Sequence, residues 1–297
     1  MIAEVETLAR KAKKERGDAR RRIVLLLAIA AIVPLFVIGN RTLFARQPIE
    51  IAGVKRSPLA EGVELVEANL LRGETPGGRF VGLYIDPKAV SLELMLNDAQ
   101  ETLSNMAPDA LAVLNAGFFT KERKPTGLLV SSGKVLSPLS PHAGGAGSGV
   151  FIVENDAPTL IERDQAVALL TKKSFPTTTF AIQAGPRIIE PNGLDGIVKD
   201  DGAHANRTVI GANAAGEVII AVILGPSGWP SGPTLYEVQH LLGAKGLGAI
   251  SSDLAFSFAL NLDGGPSTGL HVRAKTHPID EPESAPVHSV LLLRTKP

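Results

Sequence analysis

The chain has 297 residues, with 30 Lys and Arg against 30 Asp and Glu and no cysteine. That length fits one large domain or two small ones, and a 44% hydrophobic content is too high for a disordered chain. The missing cysteines exclude disulfides, thiolate zinc sites and a cysteine nucleophile. Zero net charge would argue against nucleic-acid or anionic-membrane partners if the charge were evenly spread.

It is not. Residues 1–22 carry eight basic and four acidic side chains, and the rest of the chain carries 22 basic and 26 acidic. Straight after this basic start, residues 23–40 read IVLLLAIAAIVPLFVIGN, with no charge before Arg41. As a helix they would span roughly 27 Å, about the thickness of a bilayer core. Pro34 is tolerated in a membrane helix. A cleaved signal peptide has a shorter basic start and a small-x-small cleavage site, whereas the best site here, near Ala45, has Leu43 at the third position back. An uncleaved transmembrane anchor fits better than a signal peptide or a buried core helix. The positive-inside rule then puts residues 1–22 in the cytoplasm and the chain after about residue 40 outside. An exported domain without cysteine suits a bacterial inner-membrane protein facing the periplasm or cell exterior.

Residues 41–60, with Pro48 and Pro58 and little periodicity, read as a linker, and residues 61–297 as one domain with a sizeable core. Phe80 to Ile85 predicts a strand, followed by the turn Asp86-Pro87-Lys88. In the next strand Val90, Leu92, Leu94 and Leu96 alternate with Ser91, Glu93 and Met95, the pattern of a half-buried strand. Short helices are expected at Met106 to Leu111 and around Gln165 to Thr171. Leu128 to Val130 and Val135 to Leu136 flank a hairpin turn at residues 131–134. Thr208 to Ala212 pairs through residues 213–216 with Val218 to Leu224, an unbroken apolar run that predicts burial on both faces. Thr234 and Glu237 form a capping box for a helix with Leu235, Val238, Leu241 and Leu242 on one face, closed by Gly243. Val287 to Leu293 is the last strand. The fold class is α+β, a strand-rich mixed or antiparallel sheet core with a few helices, preceded by one N-terminal transmembrane helix.

Four strings place polar residues where a strand opens into glycine: Asn115-Ala116-Gly117, Gln183-Ala184-Gly185, Asn206-Arg207-Thr208 with Gly211, and Asn261-Leu262-Asp263-Gly264-Gly265. Such strand ends gather side chains and backbone amides around a ligand, or make tight turns. In sequence order LNAGFF, AIQAGPRII, RTVIG and ALNLDGGPST resemble the phosphodiester glycosidase family over roughly residues 75–294. Two departures stand out. Pro266 replaces the third glycine of the family's LDGGGST string, and about a dozen extra residues, Leu247 to Phe258, precede the LDGG strand.

The resemblance implies hydrolysis of a sugar-1-phosphodiester through an oxocarbenium-like transition state. A phosphodiester anion leaves without full protonation, so the site needs cations more than a strong acid. Arg187 and Arg207 are the candidate phosphate clamp. Asp263 is the candidate base, nucleophile or electrostatic stabiliser, its other reading being a cap for the Gly-Gly turn or a metal ligand. Asn115 and Gln183 are candidate donors to sugar or phosphate. Gly264, Gly265, Ser267 and Thr268 are candidates for lining the substrate pocket as an anion nest. No cofactor is specified, and a divalent cation is an open alternative, since the oxygen ligands around Asp263 are of the kind that hold one. Asp200, Asp201 and His204 read as loop surface rather than a metal site. Trp229, between Gly228 and Pro230, either packs its loop or stacks on a sugar.

Gly265-Pro266-Ser267-Thr268-Gly269 also matches the G-x-S-x-G nucleophile elbow, but no helix is expected after it. The reading that best fits the sequence is an exported, membrane-anchored glycosidase acting on a sugar-1-phosphodiester in an envelope or extracellular glycan. It has a glycan or sugar-phosphate substrate, a membrane partner through its N-terminal helix, and no nucleic-acid partner. The alternatives are a non-catalytic glycan-binding or envelope-assembly module on the same fold and, less well supported, a serine hydrolase using Ser267.

Overall fold

Three antiparallel sheets carry the fold in this computed structural model, which describes residues 47–171 and 180–296. The first has eight strands, numbered in chain order and arranged β1 (Ile49–Ala60), β2 (Val63–Arg72), β3 (Thr75–Ile85), β14 (Val218–Leu224), β13 (Arg207–Ala212), β15 (Phe258–Asn261), β11 (Arg187–Glu190), β12 (Leu194–Asp195). The second runs β7 (Lys134–Ser137), β6 (Leu129–Ser131), β10 (Phe180–Ala184), β8 (Gly149–Glu154), β9 (Ala157–Glu162). The third runs β17 (Ile279–Glu281), β16 (Leu270–Val272), β5 (Ala112–Asn115), β18 (Ser289–Thr295), β4 (Val90–Leu96).

β14 explains how the sheets stack. Val218, Ile220, Val222 and Leu224 join the central core, with Leu92 and Leu94 of β4, Leu114 of β5, and Phe151 and Phe180 of the second sheet. Ile219, Ala221 and Ile223 face the other way, into a core capped by a helix, α2 (Leu235–Leu242), through Val238, Leu241 and Leu242. An antiparallel strand with one wet face would alternate, so the unbroken apolar run records two covered faces. The predicted hairpin between β13 and β14 forms, with Asn213 Oδ1 accepting from the amides of Ala215 (3.1 Å) and Glu217 (3.0 Å). The turn at Asp86 joins β3 to β4, which lie in different sheets, so it is a corner between layers.

The capping box at Thr234 is present, with Glu237 N donating to Thr234 Oγ1 (3.2 Å) and Thr234 N donating to Glu237 Oε2 (2.9 Å). Arg72 reaches the same Glu237 carboxylate, Nη2 to Oε2 at 2.8 Å, and ties α2 to β2. The expected helix near Gln165 is α1 (Arg163–Thr171), whose Ala166 and Leu170 cover the outer face of the second sheet. The extra residues before the LDGG strand fold as a short helix, α3 (Leu247–Ile250), and a single 3-10 turn at Ser252–Leu254. Leu247, Leu254 and Phe256 from this segment enter the core beneath α2.

Two expectations are corrected. Residues 49–60, expected within a linker, form β1, a twelve-residue edge strand in register with β2. Edge strands tolerate Pro58 and polar residues because one side of the ladder is unpaired and one face is wet. Met106 to Leu111 is not a helix. The residue before Pro108, Ala107, has φ +42°, and proline disfavours the helical conformation in the residue it follows. The carbonyls of Ser104, Met106, Ala107 and Ala110 accept instead from the Arg273 guanidinium. The segment still seals the third sheet's outer face with Leu103, Met106 and Ala110. The expected transmembrane segment, residues 23–40, lies outside the described residues, among which no helix is long and apolar enough to cross a membrane.

Thr234→Ala removes one half of the capping box and is expected to destabilise the domain by about 1 kcal/mol. A urea midpoint unchanged from wild type would show that α2 is held by its packing alone.

Candidate active site

The backbone passes from the first sheet to the third at Asp263. β13 and β15 pair Val209 with Asn261, and Leu262 N donates to Thr208 O at 2.8 Å, which brings Arg207 opposite Asp263. There the chain changes partner, and Asp263 N donates to Ala116 O (3.1 Å) at the end of β5. Asp263 therefore sits at the seam where the two sheets part.

Beneath the seam lies Asn115, 1% exposed. Its Nδ2 donates to Asp263 O (2.6 Å), and its Oδ1 accepts from Thr208 Oγ1 (2.8 Å) and Gly269 N (3.2 Å). Thr268 Oγ1 lies 3.4 Å from the same Thr208 hydroxyl. Gly264 N donates to Asp263 Oδ1 (2.9 Å), and the Ser267 hydroxyl also bonds that carboxylate. Gly265 N donates to Asn206 O (2.8 Å), and Gly265 has φ +63°, a conformation that favours glycine. A side chain on Gly264 would meet Asn206 O at 2.9 Å, so both glycines are required by the turn.

Burial dominates the electrostatics of Asp263. Desolvation pushes its carboxyl up to about 6, against the opposing pull of the Ser267 and Gly264 hydrogen bonds. Arg207 is also partly buried, and desolvation moves its guanidinium below its usual value, with Asp201 opposing. Its Nε donates to Pro233 O (3.1 Å) and its Nη2 to Ala203 O. Carbonyls fix this arginine without neutralising it.

Asp263, Asn115, Gly264, Gly265, Ser267 and Thr268 thus come together, with the backbone of Arg207 beside Gly264. Two expected members do not. Gln183 is 2% exposed, with Oε1 accepting from Leu128 N (3.1 Å) and Ser140 N (2.8 Å) and Nε2 donating to Gly147 O (3.0 Å). It braces the glycine-rich segment after β7 and is not placed to contact a sugar. Arg187 stands opposite Leu260, a central-core residue, and so projects to the other face from Asp263. Its guanidinium pairs with Glu162 (3.0 Å) and Glu190 (3.1 Å), and its stem packs over Gly149. Those two carboxylates answer its charge, so the expected two-arginine clamp is split. Asn115 likewise acts on backbone and Thr208, in place of the expected substrate contact.

Sequence reasoning missed Thr208 and a cationic loop. Ala116 and Gly117 lead into residues 118–126, closed by the Phe119–Pro125 bridge and by Thr126 N donating to Phe118 O (2.9 Å). Lys121, Arg123 and Lys124 are exposed on it. Its base is fixed by Ser289 Oγ, which accepts from Gly117 N at 3.0 Å, and by the Phe119 ring against His288 (4.1 Å). Burial and the Arg123 charge both hold His288 below its usual value. The cluster of basic letters directly after LNAGFF was the available signal.

Ser267 is 4% exposed, bonds Asp263, and is followed by the strand β16 with no helix after the elbow. Pro266 is accommodated in the 3-10 turn Gly265–Ser267. Asp200 and Asp201 are exposed and bond the backbone amides of Gly202 (3.0 Å) and Ala203 (2.9 Å). Among the described residues no group of three or more acidic or histidine side chains could hold a metal ion. Two grooves, of about 750 and 430 Å³, are lined by Asn192, Asn213 and Phe256 and by Lys55, Glu67 and Arg79. None of the residues grouped around Asp263 lines either, and the chemistry points to Asp263.

Among curated proteins none matches the chain. Two solved structures share its fold. One is a hypothetical protein from Synechocystis, 18% identical with a TM-score of 0.53, covering 82% of this chain and 64% of that one. The other is the catalytic domain of zebrafish N-acetylglucosamine-1-phosphodiester alpha-N-acetylglucosaminidase, auto-inhibited by its pro-peptide, 16% identical with a TM-score of 0.53 and 85% of each chain covered. At these identities the likeness concerns fold alone. The sequence model for the phosphodiester glycosidase family matches residues 108–294, more than half of the chain and every residue grouped around Asp263. The chain belongs to the phosphodiester glycosidase family.

Proposed function

We propose that the protein is a membrane-anchored hydrolase that cleaves a sugar-1-phosphodiester in an envelope or extracellular glycan. The observation that carries this reading is Asp263, a carboxylate desolvated to about 6 at a sheet seam, opposite the backbone of an arginine whose guanidinium bonds carbonyls. The family, and the N-acetylglucosamine-1-phosphodiester that the zebrafish relative's name gives as its substrate, point to the same bond. The bond between the anomeric carbon and the phosphate oxygen breaks, and the oxygen departs with the electron pair as a phosphomonoester anion. A water oxygen, or Asp263 first and water second, takes its place on the anomeric carbon. Arg207 and the loop bearing Lys121, Arg123 and Lys124 supply positive charge for the departing phosphate. Asn115, Thr208 and the Gly264 amide hold Asp263 in position.

The proposal extends to location. Residues 1–22 form a cytoplasmic tail and residues 23–40 the anchor, supported by the basic start and by the uncharged run that follows it. The domain from residue 49 onward lies in the periplasm or outside the cell.

Asp263→Asn in the full chain is expected to lower release of reducing sugar from a sugar-1-phosphodiester by at least about 100-fold, with its circular dichroism unchanged. Full activity in that variant would overturn the assignment and favour a glycan-binding module. If Asp263 acts as base or nucleophile, wild-type kcat/KM rises with pH to a plateau with a midpoint near 6. A rate that falls above that midpoint makes it an acid instead. Arg207→Lys keeps the charge but loses the planar fork, and a drop of about tenfold in kcat/KM is expected; no change would remove Arg207 from the site.

A stability test reads the same carboxyl. Its folded value lies above the unfolded one, so it favours folding fully below about pH 4 and loses that contribution as pH rises through about 6. Asp263→Asn, which does not ionise, should therefore exceed wild type in stability at pH 8, by an amount on the order of 2–3 kcal/mol. The gap should close toward pH 4. A gap independent of pH would mean that Asp263 is not desolvated.

A further inference from the structure

We propose that Trp229 is the sugar platform of the Asp263 site, an indole held at the rim of the Gly264–Gly265 turn that stacks on the apolar face of the substrate's pyranose ring. This rests on the hydrolase reading above and adds the residue that recognises the sugar.

Three observations carry it. Trp229 is 44% exposed, and it is the sole aromatic among the exposed large apolar residues of the described chain. A bare indole on a soluble face forfeits the burial that makes tryptophan favourable, which is the condition of an aromatic that waits for a ligand. Its position is also rigid. Asn206 N donates to Trp229 O (2.8 Å), and Asn206 Oδ1 accepts from Gly225 N (2.8 Å) at the start of the same loop. Ser231 Oγ donates to Gly228 O (2.8 Å) and accepts from Ser227 N (2.9 Å), so the loop is closed on itself as well as on Asn206. Finally, the indole stands over the active turn. Its Cε3 lies 3.7 Å from where a side chain on Gly265 would begin. Gly264 alone separates Gly265 from Asp263, and Asn206, which holds Trp229, also accepts from Gly265 N and precedes Arg207.

The chemistry of the substrate fits this arrangement. A sugar-1-phosphodiester has an anionic end for arginine and a ring whose C–H face suits an aromatic plane. Asp263 follows the end of β15, beside the start of β13 that carries Arg207, and directly precedes the turn under Trp229; the bond joining sugar to phosphate would sit there. Polar donors alone bind phosphate and leave the sugar unread; the indole supplies the apolar contact that the rest of the cluster lacks.

Trp229 is the chain's one tryptophan, so intrinsic fluorescence reports on this side chain alone. Full-length protein carrying Asp263→Asn would be titrated with N-acetylglucosamine 1-phosphate, glucose 1-phosphate and inorganic phosphate, with calorimetry in parallel. Saturable emission changes with the sugar phosphates and none with inorganic phosphate are expected. Calorimetric binding of a sugar phosphate without an emission change would overturn the platform and leave the hydrolase reading standing. No calorimetric binding of either sugar phosphate would overturn both. In turnover of the methyl phosphodiester of N-acetylglucosamine 1-phosphate, Trp229→Ala should raise KM about tenfold with kcat nearly unchanged, and Trp229→Phe should restore most of it. Equal KM for Trp229→Ala and wild type would overturn the inference. A fall in melting temperature for Trp229→Ala with no change in KM would make the indole loop packing only.

Discussion

The Asn115 carboxamide is the brace on which the site depends. It joins the end of β5 to the backbone of Asp263, to the side chain of Thr208 on β13 and to the amide of Gly269 before β16. Thr208 lies far in sequence from Asp263 and Gly269, which stand at the two ends of one loop, and β13 and β16 belong to different sheets. A buried amide so used is worth more than one hydrogen bond, because losing it strands several polar groups away from water. It also explains why a carboxylate can stand at a sheet seam: the backbone on either side of Asp263 is fixed from below, by Asn115 and Ala116, before any substrate arrives.

Rigidity there is matched by electrostatic cost. Asp263 and Arg207 are each desolvated, with Ser267 and Gly264 opposing at the carboxylate and Asp201 opposing at the guanidinium. Arg187, by contrast, is paired with two carboxylates, Glu162 and Glu190. The two candidate clamp arginines thus differ: Arg187 is paired with carboxylates, whereas the Arg207 guanidinium bonds carbonyls, with Asp201 the acidic charge that acts on it. Beyond residue 22 the chain is four charges negative, so attraction of an anionic substrate has to be local. Lys121, Arg123 and Lys124 lie on the loop that springs from Ala116, whose carbonyl receives the Asp263 amide. That is where a local field is useful, since at physiological salt it fades over roughly 8 Å.

Much of this was legible in the sequence where one local rule decides the outcome. The Thr234–Glu237 capping box, the Asn213 turn and the two-faced burial of β14 each follow from letters within a single window. The LDGG and NAGFF strings located the seam for a related reason, since a strand ending in glycine needs an unusual backbone. The failures share a cause too. Whether Arg187 or Arg207 carries unmatched charge depends on Glu162 and Glu190 in one case and on two carbonyls in the other, and only the packing of β11 against β9 decides it. Gln183 reads as a ligand donor until the segment it braces, residues 140–147, folds over it. β1 looked like a linker because a strand at the edge of a sheet is allowed the prolines and charges that linkers also have.

Pro266 is the departure whose consequence is easiest to follow through. Gly264 and Gly265 answer separate demands, one for space beside the Asn206 carbonyl and one for a positive φ. The third position answers neither. There the chain enters a 3-10 turn, where the fixed φ of proline is suitable and its missing amide is no loss. Its carbonyl is free to accept from Ser284 N (2.7 Å) and Ala285 N (3.0 Å), which ties the turn to the segment before β18. Proline therefore stiffens the turn between Asp263 and Thr268. Because Trp229 packs over the preceding glycine and Asp263 lies just before Gly264, that stiffness fixes the distance between the carboxylate and the indole, and a fixed distance is what a site needs if it is to tell one sugar ring from another.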